Sequence, residues 1–452
     1  MFLPLELHQL IIDVIGDEYV SSKLPSKDGT RDALQACSLV CKSWHSRSLR
    51  HTFYSTDFAF FNGDRVLQRQ TELFRILDVN PSIRRCIRRT EIYLETGVLL
   101  EDVEALCNTI SPIETLRVVV ETSHDEPDSP HSPLEGLHPI LNTQFLRDFS
   151  VWAAHFPLRL VENATKLRSL TLQGVETLDT ESVRDGAWCS ESTLEKLVVA
   201  RGRRVLTQVG AAVERSTGLY AFFEGVKHLE MYLTVDELLH HSSWRLLLAR
   251  WIRLETLVFH WILATIGKLV FIDAFRSAPN SNQHNFLTET SVKLFKMCQM
   301  IPWESFQGLH TLTYDVSFRT TQPDQLLGAE VDPSKTIFSG PSRLPRLQHL
   351  RIVHSNRRPF STVSDICTPL NIIYQHNLNR TIEDSNSFPC LQSFHTEVMC
   401  TVVRRSDASL GLDGDKLGQL VVDHLPAVFG SGGRRETHGW STSIVPSVRI
   451  VT

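Results

Sequence analysis

The sequence predicts an α+β protein: a small helical module near the N-terminal end, followed by an irregular α/β solenoid. Three observations carry that expectation. Two short amphipathic stretches stand within the first 44 residues. A six-residue apolar pattern then recurs ten times between Ile87 and Thr396. Helical patterns fill many of the gaps between copies. Strands alternating with helices argue for parallel pairing through right-handed crossovers.

The first amphipathic stretch is Leu3 to Ile15, with Leu7, Leu10, Ile11 and Val14 at helical spacing. Pro4 suits a first helical turn, where a missing N–H costs nothing. The second is Asp32 to Trp44, with a stripe of Ala33, Leu34, Cys37, Val40, Cys41 and Trp44. Asp32 stands where an N-cap belongs. A helix this short is marginal alone, so its stripe, Trp44 included, is expected to be packed. The polar segment between the two, Asp17 to Arg31, holds Pro25, Asp28 and Gly29 and is expected to be a surface loop.

This pair of helices resembles an F-box. That family opens with L-P-x-E-L and closes with V-C-x-x-W. Leu3, Pro4, Glu6 and Leu7 match the opening, and Leu34, Cys37, Val40, Cys41 and Trp44 match the close. The resemblance covers roughly the first fifty-five residues. It implies docking on a Skp-type adaptor, and through that adaptor a cullin. The adaptor-binding residues it implies are Leu3, Pro4, Leu7, Ile11, Leu34, Val40, Cys41 and Trp44.

A chain of 452 residues exceeds one compact core, so two or more units are expected. It is 42% hydrophobic and 21% charged, ordinary for a globular protein, with a formal net charge of -5. That balance points away from nucleic acid and from anionic membranes. The basic run Arg84, Arg85, Arg88, Arg89 reads as a solvated flank. The N-terminal apolar stretch carries Glu6 and Asp13 and makes a poor secretory signal. The run Trp261 to Phe271 is too short to span a bilayer. Nine scattered cysteines without a C-x-x-C pair fit reduced thiols in a cytoplasmic or nuclear protein. Cys37 and Cys41 are expected on the buried stripe.

After the helical module, His51 to Asp64 reads as an extended segment, and Arg65 to Val79 as a helix stopped by Asn80-Pro81. The recurring hexad is apolar-x-x-apolar-x-apolar. Its copies start at Ile87, Ile113, Leu146, Leu167 and Leu194, then at Val226, Leu254, Leu309, Leu347 and Leu391. The last two apolar residues of each are two apart, so both face one side of a short strand. Intervals in the twenties and low thirties suit stacked repeats, which bury together a core that none could bury alone. Helices are expected at Glu101 to Ile110, Val235 to Trp251 and Ser291 to Met300.

The array resembles the irregular leucine-rich repeats found beside F-boxes in large fungal families. It departs from that consensus in lacking the Asn or Cys three positions after the last strand leucine, so the resemblance does not imply regular curvature. It does imply that residues flanking the buried strand pair line a binding face. These include Tyr93, Arg117, Asp148, Trp152 and Lys196. Further along they include His228, Glu230, Tyr232, His260, Asp315 and Arg351. Of these, Tyr93, Trp152, Tyr232, His260 and Arg351 are the target-binding candidates, because aromatic and arginine side chains anchor interfaces.

The expected boundaries are a helical F-box module over 1–56, a connector over 57–82, the array over 83–402 and a weakly ordered tail over 403–452. Loops are expected near 121–139 and 320–345, where prolines cluster. No catalytic constellation is apparent. The Gly430-Ser431-Gly432-Gly433 run lacks the Lys-Ser/Thr of a P-loop. The Asp413-Gly414-Asp415 stretch lacks calcium ligands at Leu417 and His424. His240 and His241 are adjacent, so they point in different directions. The sequence therefore reads as a non-enzyme without cofactor or metal: a substrate receptor of a Skp–cullin–F-box ubiquitin ligase, holding an unknown target protein. The alternative is an F-box scaffold acting outside a ligase.

Overall fold

The computed structural model describes residues 5–21, 27–60, 64–95, 98–110, 112–121, 133–180, 194–200, 205–233, 248, 251, 253–263, 303–318, 344–356, 389–403 and 441–451. They fall into two units. One comprises Met1–Leu194 with Arg215–Phe223, the other Glu195–Glu214 with Glu224–Thr452.

The first unit opens with three helices, α1 (Leu5–Ser21), α2 (Lys27–Ser38) and α3 (Lys42–Thr52). The stretch expected as one helix from Asp32 to Trp44 is split between two. Leu39 and Val40 form a turn whose N–H groups reach back to Ala36 and Cys37 carbonyls. Cys41 is the extended N-cap of α3. Asp32 lies inside α2 and caps nothing. The expected loop over residues 17–31 is mostly helix, since α1 continues to Ser21 and α2 begins at Lys27. Cys37 is half-buried and Cys41 exposed, so neither is a core residue. Trp44 is half-buried rather than enclosed, its ring meeting the His8 ring edge-on at 5.1 Å.

A polar contact ties α1 to α3. Asp13 accepts two hydrogen bonds from Arg47, at 2.8 and 2.5 Å, and a third from His51 Nε2 at 3.0 Å. Arg47 beside it holds the Asp13 carboxyl down at about 2. Gly16, one turn along α1, makes this contact possible. A Cβ there would stand 2.1 Å from the His51 ring. A mid-helix glycine costs up to about 1 kcal/mol of helix propensity, and here it admits the imidazole that reaches Asp13.

The segment over 57–82, expected as a connector, is part of the array. It supplies most of strand β1 (Ser55–Phe60) and helices α4 (Asp64–Val79) and α5 (Pro81–Arg84). Phe74 of α4 stacks on Phe58 of β1. The hexads then become strands β2 (Arg89–Glu95), β3 (Thr115–Glu121), β4 (Asp148–Trp152) and β6 (Ser169–Gln173). In this unit the sheet runs β1-β2-β3-β4-β6, every pair parallel. Helix α6 (Leu100–Ile110) lies between β2 and β3 in the chain and buries Val103, Leu106, Cys107 and Ile110, the stripe its spacing predicts. Burial pushes the Cys107 thiol up to about 12. Part of the expected loop near 121–139 is ordered. Pro133–Leu137 is a 3-10 turn and α7 (His138–Leu141) follows, with Leu134, Leu137, Ile140 and Leu141 buried. Two short strands, β5 (His155–Pro157) and β7 (Thr177–Asp179), pair separately.

The second unit holds β8 (Lys196–Ala200), β9 (His228–Leu233), β10 (Thr256–Leu263), β11 (Thr311–Phe318), β12 (His349–Asn356), β13 (Ser393–Val403) and β14 (Ser441–Val451). They form a parallel sheet in chain order. The tail expected to be weakly ordered over 403–452 therefore contains a strand. Its Pro446 sits opposite Val398 on a strand with one neighbour in this sheet, a place where proline is tolerated. Helix α8 (Val205–Arg215), nearly all of it in this unit, buries Val209 and Val213, while α9 (Thr217–Glu224), nearly all of it in the first unit, buries Phe222 and Phe223. Most of the helix expected over 235–251, all of that over 291–300 and most of the 320–345 loop lie outside the described residues, as do Gly430, Asp413, His240 and His241.

All ten hexads open the same way: the strand begins two residues after the first apolar residue. Within the first unit the pairs Leu116/Val118, Phe149/Val151 and Leu170/Leu172 are buried. Within the second, Leu197/Val199, Leu229/Met231 and Leu257/Phe259 are buried.

Two substitutions test the α1–α3 contact. Asp13→Asn should destabilise the helical module by about 1–2 kcal/mol, because a partly exposed charge-assisted pair is lost. Gly16→Ala should also destabilise it, although alanine is the better helix former. Chemical denaturation followed by circular dichroism checks both, and a more stable Gly16→Ala protein would refute the role assigned to His51. The Asp13 carboxyl is depressed, so its contribution is present above pH ~3.8 and is lost as pH falls towards 2.

Candidate functional site

Two surfaces stand out. The first is on the helical module. The apolar stripe of α1 faces solvent: Leu7 and Ile11 are 44% exposed, Leu10 57% and Val14 59%. The turn after α2 adds Leu39 at 86% and Val40 at 62%. The inward residues are Ile12 of α1 and Leu34 of α2, both fully buried. Helical spacing finds such a stripe but not the side it faces. Contiguous apolar exposure on this scale marks a surface for a partner.

The second is the sheet face opposite the core. Counting from the first hexad residue, positions four and six point inward, so positions three, five and seven share the other face. In the first unit this places Glu91 and Tyr93 on β2 beside Arg117 on β3. Tyr93 donates its hydroxyl proton to Glu91 at 2.5 Å, and Arg117 pairs with the same carboxylate at 3.0 Å. The hydrogen bond to Glu91 holds the Tyr93 phenol up at about 12.

The second unit repeats the motif on β9 and β10. On β9, Tyr232 donates to Glu230 at 2.9 Å. His260 of β10 stacks flat on Tyr232, with ring centres 3.9 Å apart and 11° between planes. Its Nδ1 donates to Asp315 of β11 at 2.8 Å and its Nε2 to Glu230 at 3.1 Å. Burial pulls the His260 imidazole down, but the two carboxylates outweigh it and hold it up at about 9. It is therefore a cation at neutral pH. His228 and His260 hold the Glu230 carboxyl below the usual range; the His260 bond is the firmer, since His228 Nε2 stands 3.8 Å away. A stacked cation flanked by two carboxylates is a rigid, aromatic and acidic surface, suited to gripping a partner's side chains.

The candidates read from the sequence separate into groups. Tyr232 and His260 touch each other. Tyr93 belongs to the equivalent cluster in the first unit. Trp152 is 39% exposed, its ring lying over Gly174, whose φ of 68° and closeness to the indole leave no room for a side chain. Arg351 is exposed on β12. Leu3 and Pro4 lie outside the described residues. Glu91, which orients both Tyr93 and Arg117, was missed; its position two before an aromatic residue on one strand is the signal for it. Among the described residues no group of His, Cys, Asp and Glu is arranged to hold a metal ion. No described helix is long and apolar enough to cross a membrane.

No family model matches this chain, and no curated protein matches it. Among solved structures, the chain is similar to one described as the crystal structure of Rad7 and Elc1 complex in yeast. That match has 10% identity over 90% of this chain and 92% of that one, with a TM-score of 0.29.

The His260 cluster should show in the pH dependence of the second unit. A raised histidine stabilises fully below pH ~6.5, and the contribution fades as pH rises to about 9. The lowered Glu230 contributes above pH ~4.5 and loses its effect as pH falls through its depressed value. Between pH 6 and 9.5 the unit should lose on the order of 2–3 kcal/mol through His260. His260→Gln should flatten that loss in denaturant titrations; an unchanged slope would refute the assignment.

Proposed function

We propose that this chain is a substrate receptor of a Skp–cullin–F-box ubiquitin ligase. The helical module binds a Skp-type adaptor, and the polar face of the parallel array holds a target protein. The observation that carries this reading is the outward stripe on the helical module, found on the sequence with the L-P-x-E-L opening and the V-C-x-x-W close. Leu7, Ile11 and Val40, which the F-box resemblance assigns to the adaptor, lie on that stripe. Leu34 is buried and holds the module together instead. A stable interface needs about 800 Å² from each partner, which three short helices and a turn can supply. The chain itself then contributes proximity: holding a target near the ubiquitin carrier raises the effective concentration of its lysines.

Leu10→Glu together with Leu39→Glu tests the reading. Both residues are exposed in the free chain, so unfolding should move by less than about 0.5 kcal/mol for each change. Affinity for a Skp-type adaptor should fall by about a hundredfold or more. Equal co-purification of the adaptor with variant and parent would overturn the assignment. Adaptor binding without cullin recruitment would favour the scaffold.

A further inference from the structure

A cleft in the first unit belongs to neither surface. It opens where α3 gives way to β1, beside α5 and the turn into β2. Its volume is about 590 Å³, and it is lined by Ser46, Leu49, Arg50, Tyr54, Ser82, Arg85, Cys86 and Arg88. That volume falls in the range of small-molecule sites, roughly 300–1,000 Å³.

Three arginines line the cleft and no acidic residue does. Arg88 has a loose partner, Glu114, at 3.5 Å and partly in solvent. The next arginine in the run, Arg84, is neutralised by Asp78 and does not line the cleft. Arg50 and Arg85 make no ion pair among the described residues. The walls are fixed by backbone. The Tyr54 carbonyl accepts both the Arg88 and the Arg89 N–H, at 3.0 and 2.9 Å. The Cys86 N–H donates to the Ile83 carbonyl at 2.8 Å, and its thiol to the Ser82 carbonyl. Arg50 and Arg88 both stand near enough to Cys86 to pull its thiol down, against a stronger upward push from burial.

From this we infer that the cleft binds the phosphate group of a small soluble molecule, clasped by Arg50, Arg85 and Arg88. Planar forks match phosphate oxygens in pairs, and three forks exceed what one carboxylate can accept. Ser46 and Tyr54 bring hydroxyl-bearing side chains to the lining, and Leu49 brings an apolar one suited to the rest of the molecule. The basic run that reads as a solvated flank gains this role because the fold brings Arg50, thirty-five residues upstream of Arg85, to the same cleft. Occupancy would tie α3 to the strand approach, and so brace the helical module against the first repeat strands. The site stands whether or not the chain serves a ligase.

The test uses the full-length chain and inorganic pyrophosphate as probe, in chloride buffer of matched ionic strength. Pyrophosphate should raise the melting temperature, bind by calorimetry, and slow alkylation of Cys86, followed by peptide mass spectrometry. Arg50→Gln with Arg85→Gln should weaken binding by about tenfold or more. Glu114→Gln, which frees Arg88, should tighten it. The opposite signs separate a lost site from a damaged fold. No binding above the chloride control, equal binding by the double variant, or Cys86 alkylation indifferent to pyrophosphate would each overturn the proposal. So would an oligonucleotide that needs the same arginines and is not displaced by pyrophosphate.

Discussion

One carbonyl per repeat, taking two N–H groups from the next, sets the register on which every surface of the array depends. The Arg88 carbonyl accepts from Glu114 and Thr115, and the Arg147 carbonyl from Arg168 and Ser169. In the second unit Lys227 accepts from Glu255 and Thr256, and His310 from Gln348 and His349. Each fork sits just before the strands, at the second position of the hexad. It aligns like positions of neighbouring repeats, so Leu257 stands opposite Leu312 and Leu229 opposite Leu257. A slip of one residue would turn these leucines to the other face. The same alignment brings the polar clusters together. His260 meets Asp315 because both occupy the seventh position, and Arg117 meets Glu91 because both occupy the fifth.

The two Glu-x-Tyr strands show how such a face is made rigid cheaply. Residues two apart on a strand project to the same side, so Tyr93 and Tyr232 can each donate to the glutamate on their own strand. The ring is then held upright without help from the core. A neighbouring strand adds a cation, Arg117 in one unit and His260 in the other. The half-exposed Arg117 pair adds little stability and the better shielded His260 pairs add more, and both remove rotamer freedom that a binding partner would otherwise have to restrict.

What was legible in the sequence follows from which signals are local. The hexads read correctly because both their burial and their period are written in consecutive residues. The α6 stripe read correctly for the same reason. Strand β14 was not legible, since Gly439 and Thr442 stand where the first two apolar residues of the hexad belong, only Ile444 keeps the pattern, and pairing with β13 alone reveals the strand. The break at Val40-Cys41 was hidden because apolar residues continue across it at helical spacing, while the turn is made by backbone hydrogen bonds. The partners of His260 lie thirty and fifty-five residues away, and the Arg50 side of the cleft is likewise non-local. Residue type nominated Tyr232 and His260; the register alone joined them.

The helical module shows the converse of the array. Its apolar residues are turned outward, leaving Ile12, Leu34 and the glycine-lined contact at His51 inside. Ser48 is buried there with its hydroxyl unpaired among the described residues. So thin a core has little hydrophobic area to draw on, and the Asp13–Arg47–His51 bonds carry the α1–α3 contact. A partner that covered the outward stripe would remove apolar area from water at roughly 25 cal/mol per Å² and would bind the folded module alone. The residues left out of the core would then stabilise the fold through association. The polar bonds of Asp13 hold the stripe in one shape beforehand, which lowers the ordering cost of that association.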